Sequence, residues 1–249
     1  MPFFSVIIIT KNEAHNIEDC LKSVTFADEI IVLDSGSTDG TIEICRKYTD
    51  KVVVTGWPGY GEQKQRALEM ATGEWVLSLD ADERVTLPLK EEIVATLPNT
   101  TFDAFEIPFS SEYCGRTIRF GDWWNDKQAV LFRRSKARFD GRLVHEKLEI
   151  HGTIGKLKGK IHHLAFPNLY TVLRKMNDYS SWGAEQKKLQ GKKGGLFKAI
   201  SHGIWAFFRG YVLGLGFLDG REGFLLAVSN AEGTYYRYLK LFYISQKSH

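Results

Sequence analysis

The chain has 249 residues, of which 43% are hydrophobic and 25% are charged. This composition is typical of a folded globular chain and excludes a disordered or fibrous one. Its net charge of +3 is unevenly distributed, because residues 1–167 carry 21 basic and 25 acidic side chains whereas the remainder carries 12 and 5.

Three sequence features indicate the compartment. The chain starts with Met1-Pro2 and runs into an apolar segment without a basic leader, so no secretory signal is expected. The apolar stretch at 203–218 is interrupted by Arg209 and is rich in glycine, so no membrane span is predicted. The three widely spaced cysteines favour neither a disulfide framework nor a structural zinc site. A cytoplasmic location is therefore predicted.

The first hundred residues alternate between strand and helix patterns. Short apolar, β-branched runs predict strands, and apolar residues every three or four positions predict helices. In chain order these are strand 5–9, helix 16–24, strand 29–33, a helix after the turn at 37–40, strand 52–55, helix 62–71, strand 75–79 and a helix opened by Pro88. This alternation predicts an α/β fold in which helices cover both faces of a mainly parallel sheet.

The pattern changes in the second half of the chain. Shorter strand patterns at 104–107, 129–132 and 143–150 predict an antiparallel or mixed extension of the sheet. After Pro167 the pattern is helical, and its first apolar stripe consists of Leu169, Val172, Leu173, Met176 and Tyr179. We therefore predict a Rossmann-like domain over residues 1–167 and a helical, basic and aromatic C-terminal region over residues 168–249.

Polar side chains follow three of the predicted parallel strands. Thr10, Asn12 and Glu13 follow the first strand, Asp34 and Ser37 follow the second, and Asp80 and Asp82 follow the fourth. In an open parallel sheet, ligands bind outside the carboxyl ends of the strands. These side chains are therefore expected to converge on one edge of the sheet.

The Asp80-Ala81-Asp82 triplet predicts a divalent cation site. In extended backbone, residues two apart point the same way, so both carboxylates are expected to face one site. Mg²⁺ or Mn²⁺ prefers a few carboxylate oxygens together with substrate phosphate oxygens, and the cation would neutralise a diphosphate leaving group. Such a triplet alone more often caps a turn, and its position after a strand is what favours the metal.

Three segments in order resemble the family-two glycosyltransferases. They are Val-Ile-Ile-Ile-Thr-Lys-Asn-Glu at 6–13, Ile-Val-Leu-Asp-Ser-Gly-Ser-Thr-Asp-Gly-Thr at 31–41 and Gly-Glu-Trp-Val-Leu-Ser-Leu-Asp-Ala-Asp-Glu at 73–83. Members of this family are inverting enzymes of GT-A fold. Within it, the segments at 59–64, 144–146 and 219–224 are similar to those of bacterial lipopolysaccharide core β-glycosyltransferases.

The resemblance implies a nucleotide-diphosphate sugar donor such as UDP-glucose and a lipopolysaccharide core or other glycan or glycolipid acceptor. It implies that Thr10 and Asp34 contact the nucleoside, that Asp80 lies near ribose and diphosphate, and that Asp82 binds Mg²⁺ or Mn²⁺. Lys64 adds a cation near the donor, and Asn12, Glu13 and Ser37 complete the donor-binding set. Ser35 stands where a second acid is commoner and Gln65 where an asparagine is frequent, which leaves the nucleobase open.

An inverting transfer needs a base that removes the proton of the acceptor hydroxyl. Glu146, in the Val-His-Glu segment that matches the family, is our first choice, and Asp122 is the second. Trp123 and Trp124 offer faces on which a sugar could stack, although paired tryptophans are more often part of a core. His145 is either an orienting neighbour or a structural histidine.

The basic segment 187–198 leads into an aromatic one at 204–211, and two interpretations stay open. This region either contacts the cytoplasmic face of the inner membrane peripherally or packs as an ordinary helical subdomain. Two alternative functions are also left open. A nucleotidyltransferase would use a similar sheet but needs a phosphate-binding loop motif that this sequence lacks. A non-catalytic nucleotide-sugar-binding module is the other, and nucleic acid is not an expected partner.

Overall fold

The computed structural model describes residues 2–140 and 148–246, and the chain forms two compact units. The first unit consists of Met1–Ser110 with Asp126–His163, and the second of Ser111–Asn125 with Leu164–His249. These units differ from the two predicted sequence domains in grouping residues 111–125 with the C-terminal region. The functional division at residue 167 stays a prediction.

The elements alternate between strands and helices up to residue 80, as the sequence pattern predicts, and an additional short strand precedes the next helix. The strands are β1 (Phe4–Thr10), β2 (Glu29–Asp34), β3 (Val52–Val54), β4 (Trp75–Asp80), β5 (Glu83–Val85), β6 (Ala104–Tyr113), β7 (Arg116–Thr117), β8 (Lys127–Arg133), β9 (Ala137–Phe139), β10 (Leu148–Ile150), β11 (Ile154–Lys156) and β12 (Ile161–Phe166). The helices are α1 (Ile17–Ser23), α2 (Thr41–Cys45), α3 (Tyr60–Met70), α4 (Leu87–Thr96), α5 (Leu169–Leu189), α6 (Leu196–Phe207) and α7 (Gly220–Gln246).

The main sheet is mixed, and its first four strands are parallel. The strand order is β3-β2-β1-β4-β8-β6-β12-β5, and β7 and β11 also pair with β6. Strand β1 pairs in parallel with β2 and β4, β2 pairs in parallel with β3, and β8 runs antiparallel to β4. The predicted α/β fold, with a parallel sheet, a mixed extension and a helical C-terminal region, is confirmed.

Both faces of β1 are buried, which explains why its sequence is an unbroken apolar run. Val6 and Ile8 belong to the core on one face, and Ile7 and Ile9 belong to the core on the other. Successive side chains of a strand point to opposite faces, so a sheet covered by helices on both sides needs apolar residues at every position.

The structure departs from the predicted elements in several places. Strands β5 and β12 have no counterpart in the prediction, although they pair antiparallel with each other. Of the predicted strand at 143–150, β10 covers the last three residues, and residues 143–147 lie outside the described residues. No helix among residues 2–140 and 148–246 combines the length and apolar character that crossing a membrane requires.

The second unit is built on α5, α6 and α7, with a π-helical segment, Phe208–Leu213, after α6. The predicted apolar stripe of α5 is only partly buried: Val172 is buried, whereas Leu169, Leu173 and Tyr179 are exposed. The reason is that α5 packs on α7 partly through polar groups. Lys240 of α7 donates a hydrogen bond to the Ser180 hydroxyl at 2.8 Å.

Candidate active site

The carboxyl ends of β1, β2 and β4 lie at one edge of the sheet. In the parallel register, Thr10 is opposite Asp34 and Ile9 is opposite Asp80. Because β1 lies between β2 and β4 and neighbouring strands are about 5 Å apart, the ends of three separate β-α units meet here. The predicted convergence of these polar segments is therefore seen in the topology.

Asp34 shapes the loop that follows β2. Its carboxylate is fully buried and accepts hydrogen bonds from the backbone N–H groups of Gly36 at 2.8 Å and Ser37 at 2.7 Å, and from the Ser37 hydroxyl. Gly36 has a φ of +83°, a left-handed conformation that favours glycine. Both carboxylate oxygens of Asp34 are thus engaged in holding a tight turn at the sheet edge.

The loop after β1 is fastened to this turn. The Asn12 N–H donates to the Ser37 hydroxyl at 2.7 Å, and the Asn12 amide oxygen accepts from the Thr38 N–H at 2.9 Å. The Glu13 N–H donates to the Thr41 hydroxyl at 2.9 Å. Asn12, Glu13 and Ser37, predicted as donor-binding residues, are therefore brought together by contacts that join the first two β-α units.

Thr10 presents a buried polar atom at the same edge. The residue is 5% exposed, and its hydroxyl oxygen has no hydrogen-bond partner among the described residues. A buried hydroxyl without a partner is unfavourable by about 1–3 kcal/mol. The Thr10 hydroxyl is therefore suited to form a hydrogen bond with a polar group of a bound ligand.

Asp80 is paired with a cation from α3. The Lys64 Nζ lies 3.1 Å from an Asp80 carboxylate oxygen, and the Lys64 side chain is 14% exposed. The preceding residue, Gln63, is fully buried and donates to the Ser35 hydroxyl at 3.1 Å and the Thr55 hydroxyl at 2.8 Å. Gln63, which we did not single out from the sequence, thus fixes α3 against the ends of β2 and β3.

The extended backbone expected through Asp80 and Asp82 is wrong. Strand β4 ends at Asp80, and Ala81 and Asp82 form a turn. The Glu83 carboxylate accepts a hydrogen bond from the Asp80 N–H at 2.9 Å, which closes this turn before β5 begins. Because the segment is a turn, the rule that strand residues two apart point the same way does not apply to Asp80 and Asp82. The carboxyl groups of Asp80, Asp82 and Glu83 all lie within this four-residue turn.

Strand β12 adds a histidine to this turn. His163 is opposite Glu83 in the antiparallel pair of β5 and β12, and its Nε2 lies 3.5 Å from an Asp82 carboxylate oxygen. The place of His163 in this cluster could not be predicted from the sequence, because β5 has only three residues and its pairing with a strand nearly eighty residues later leaves no local pattern.

Burial and charge shift two pKa values in this cluster. Burial raises the pKa of the Glu83 carboxyl, the Asp80 carboxylate raises it further, and the pKa reaches about 8. For His163, burial alone would lower the pKa, but the hydrogen bond to Asp82 and the nearby carboxylates outweigh it and raise the pKa to about 9. Burial and the neighbouring carboxylates thus favour the protonated form of both groups.

A second hydrogen-bond chain supports the turn from the side of the first loop. Arg84 donates to the Asp82 carbonyl at 3.1 Å and to the Asn16 side-chain oxygen at 3.2 Å. Asn16 donates in turn to the Glu13 carboxylate at 2.8 Å. The backbone of Asp82 is thus linked through Arg84 and Asn16 to Glu13, so the first and fourth strand ends are held together.

The donor set of this edge fits a hard divalent cation. Asp80 and Asp82 offer carboxylate oxygens, and Mg²⁺ commonly uses one or two carboxylates together with substrate phosphate oxygens. Within residues 2–140 and 148–246, no three or more His, Cys, Asp or Glu side chains are grouped as a preformed metal cage. A divalent cation held by Asp80 and Asp82 therefore stays a prediction.

The two candidate bases are placed differently. Glu146 lies outside the described residues. Asp122 belongs to the second unit, where one carboxylate oxygen accepts from Arg209 Nε at 3.0 Å and the other accepts from the Asn230 amide at 2.9 Å. Trp123 stacks on Phe166, with ring centroids 5.8 Å apart, as a packed tryptophan does.

Comparison with known proteins adds a family to this geometry. Residues 5–160 match the family described as Glycosyl transferase family 2. An uncharacterized glycosyltransferase of Rickettsia typhi is 31% identical over 100% of this chain and 89% of its own length. The lipopolysaccharide core biosynthesis glycosyltransferase LpsC of Rhizobium meliloti is 30% identical over 91% of this chain and 87% of its own length.

A solved structure shares the fold. The crystal structure of Staphylococcus aureus TarS, residues 1–349, in complex with UDP-GlcNAc aligns with a TM-score of 0.50 at 17% identity. The alignment covers 98% of this chain and 92% of that one. At this identity the likeness concerns the fold alone, and it extends over both units of the chain.

Proposed function

The chain belongs to glycosyl transferase family 2, and we propose that it transfers a hexose from a nucleoside-diphosphate sugar, such as UDP-glucose, to an acceptor hydroxyl with inversion. The observation that carries this proposal is the meeting of Thr10, Asp34 and Asp80 at the carboxyl ends of three adjacent parallel strands. This is where ligands bind to open parallel sheets. Membership of the family favours glycosyl transfer over nucleotidyl transfer or binding without catalysis.

The proposed acceptor is the lipopolysaccharide core or another glycan or glycolipid. It is supported by the name of LpsC, a lipopolysaccharide core biosynthesis glycosyltransferase that is similar over 91% of this chain. An acceptor that carries a lipid is presented at a membrane surface. We therefore propose that the enzyme is a cytoplasmic protein that works peripherally at the inner membrane.

The nucleoside end of the donor is assigned to the first two strand ends. The partnerless Thr10 hydroxyl suits a hydrogen bond to a donor polar group. Asp34 acts by holding the turn of Gly36 and Ser37, since both of its carboxylate oxygens are used there. Asn12, Glu13 and Ser37 keep the two loops in one arrangement, which lowers the ordering cost of binding.

The diphosphate end is assigned to the turn after β4. Asp82 and Asp80 would hold Mg²⁺ or Mn²⁺, which supplies positive charge against the leaving diphosphate when bound. Lys64 lies against Asp80 and contributes a further cation at this end. Gln63 positions Lys64 by fixing the first turn of α3.

Glu146 is proposed as the base that takes the proton of the acceptor hydroxyl. Its competitor Asp122 is held by Arg209 and Asn230, so both of its oxygens already accept hydrogen bonds from fixed donors. Such contacts describe a structural carboxylate better than one that must meet an acceptor hydroxyl within hydrogen-bond distance.

The proposal is tested by an assay of sugar transfer in the presence of Mn²⁺. The donors are a panel of radiolabelled nucleotide sugars, and the acceptor is extracted lipopolysaccharide core. UDP-glucose or a close analogue is expected to support transfer, and nuclear magnetic resonance of the product is expected to show the anomeric configuration inverted.

We expect Glu146→Gln to keep donor binding and to lose at least about 100-fold in turnover, whereas Asp122→Asn retains more activity. The base assignment fails if Glu146→Gln turns over like wild type, and the function fails if no nucleotide sugar is used.

A further inference from the structure

Within the second unit, helix α6 packs through its small residues, and its large apolar side chains face outward. Ala199, Gly203 and Ala206 are buried, whereas Ile204 is 67% exposed and Phe197 is 83% exposed. An amphipathic helix of a globular unit normally buries its large apolar side chains, because their burial drives packing. The orientation of α6 is the reverse of this arrangement.

Contacts with α7 fix this orientation. A Cβ added to Gly203 would lie 3.3 Å from the Ala231 carbonyl oxygen, so the two helices approach closely at this glycine. The ring of His202 stacks on Tyr238, with centroids 4.4 Å apart. The Gly195 N–H donates to the Tyr238 carbonyl at 3.4 Å. Rotating α6 to bury its large side chains would break these contacts.

The exposed apolar side chains continue beyond α6. Residues 196–218, which we name the C-terminal apolar surface, hold 11 of the 28 large hydrophobic side chains that are exposed among the described residues. They include Ile200, Trp205, Phe208 and Leu213. Such a concentration of exposed large apolar side chains in one segment indicates an interaction site, since exposed apolar residues that occur singly are normal on protein surfaces.

The charge of the flanking sequence identifies the partner. Residues 187–218 contain five lysines and Arg209 and no aspartate or glutamate. Lys192, Lys193 and Lys198 are exposed at the start of the C-terminal apolar surface. Arg209 is paired with Asp122 at 2.8 Å, so the lysines carry the attraction for anions. Apolar and aromatic side chains accompanied by lysines in one acid-free segment match a bilayer whose headgroups are anionic, whereas a protein partner would need only a complementary apolar face.

We propose that the C-terminal apolar surface inserts into the headgroup and acyl boundary of a membrane that contains anionic lipid. Phe197, Ile204 and Phe208 enter the acyl boundary, and Trp205 lies at the headgroup level. The exposed Lys192 and Lys193 contact lipid phosphates. The inference deepens the proposed membrane location and rests on that proposal for its biological setting, but the insertion itself requires neither donor nor catalysis.

Vesicle flotation of the full-length protein tests this inference. Wild-type protein is expected to float with vesicles of phosphatidylglycerol and phosphatidylethanolamine and to bind phosphatidylcholine vesicles more weakly. The double variant Phe197→Ser/Ile204→Ser is expected to lower partitioning at least about tenfold, because two apolar side chains no longer leave water. Its circular dichroism should match wild type, since both side chains are exposed.

The matched control is Leu87→Ser, because Leu87 is 64% exposed and Ile204 is 67% exposed. It should float like wild type. The charge part is checked with Lys192→Gln/Lys193→Gln, which is expected to weaken binding to anionic vesicles by about tenfold. The variant leaves binding to neutral vesicles unchanged.

The inference is overturned if wild-type protein does not float, or if the serine variant and Leu87→Ser behave alike. It is also overturned if sedimentation velocity shows a dimer that the serine variant abolishes, because a second copy would then cover the surface. A protein that floats but transfers no sugar supports the membrane surface and refutes the proposed function, so the two failures are distinguishable.

Discussion

At the residue scale, the candidate site depends on partners that come from distant parts of the chain. Asp82 is next to His163, and Asp80 is next to Lys64. The aspartates and Lys64 could be named from sequence because they follow strands or lie in a segment typical of the family. His163 could not, because its role depends on the register of β12 against β5. Gln63 was missed for the same reason: its function is to join two strand ends.

Glu29 provides a residue-scale test of the sheet that carries the site. Burial alone would raise the pKa of Glu29, but hydrogen bonds from Lys51, Ser5 and Thr72 outweigh it and lower the pKa to about 2 from its ordinary 4.5. A lowered pKa means that Glu29 stabilises the fold above pH 4.5 and that this contribution is lost as the pH falls from 4.5 towards 2. It amounts to about 3 kcal/mol.

The expected result is that Glu29→Gln is less stable than wild type at pH 7 and that the difference shrinks towards pH 3. The difference in the free energy of unfolding is measured by urea unfolding, followed by circular dichroism, between pH 3 and pH 7. The exposed Glu43→Gln serves as the control. If the free energies of unfolding of wild type and Glu29→Gln differ by a constant amount from pH 3 to pH 7, the lowered pKa of Glu29 is contradicted.

At the element scale, the sequence predicted the strands that place the site better than the segments that complete it. Strands β1, β2 and β4 were found within one or two residues, because strands buried on both faces give continuous apolar runs. The turn at Ala81 and Asp82 was expected to be extended, since the hydrogen bond from the Asp80 N–H to Glu83 has no local sequence signal. The helix predicted from the stripe after Pro167 is α5, although much of that stripe is exposed because α5 packs on α7 partly through polar groups.

The alignment of β4 with β1 gives an element-scale prediction at Gly73. The Gly73 N–H donates to the Ser5 hydroxyl at 2.9 Å, and a Cβ at this position would lie 2.7 Å from the Ser5 backbone nitrogen. Gly73→Ala is therefore expected to destabilise the protein by about 1–3 kcal/mol. Urea unfolding measures the difference.

Gly56→Ala is the matched control, because an added Cβ at Gly56 has no atom within 4 Å among the described residues. It is expected to be neutral or slightly stabilising, since alanine restricts the unfolded chain. Equal stability of Gly73→Ala and wild type would show that the close approach of β1 and the start of β4 is not required.

At the scale of the whole molecule, the two units differ in the surfaces they offer. In the first unit, Asp80 and Asp82 at the sheet edge are paired with Lys64 and His163. The second unit carries the C-terminal apolar surface, which follows a lysine-rich segment at 187–193. The charge asymmetry of the sequence indicated only that the C-terminal region is basic. The orientation of the C-terminal apolar surface needed the structure, because the sequence pattern of α6 does not say which face packs on α7.

The most direct test of the account is electron paramagnetic resonance of Mn²⁺ titrated with protein in the presence of UDP-glucose. Binding removes the six-line signal of free Mn²⁺. We expect about one Mn²⁺ to bind per wild-type chain. Asp82→Asn should weaken binding at least about tenfold, and the exposed control Asp50→Asn should bind Mn²⁺ like wild type. Equal Mn²⁺ binding by wild type and Asp82→Asn would contradict the assignment of the cation to the turn after β4.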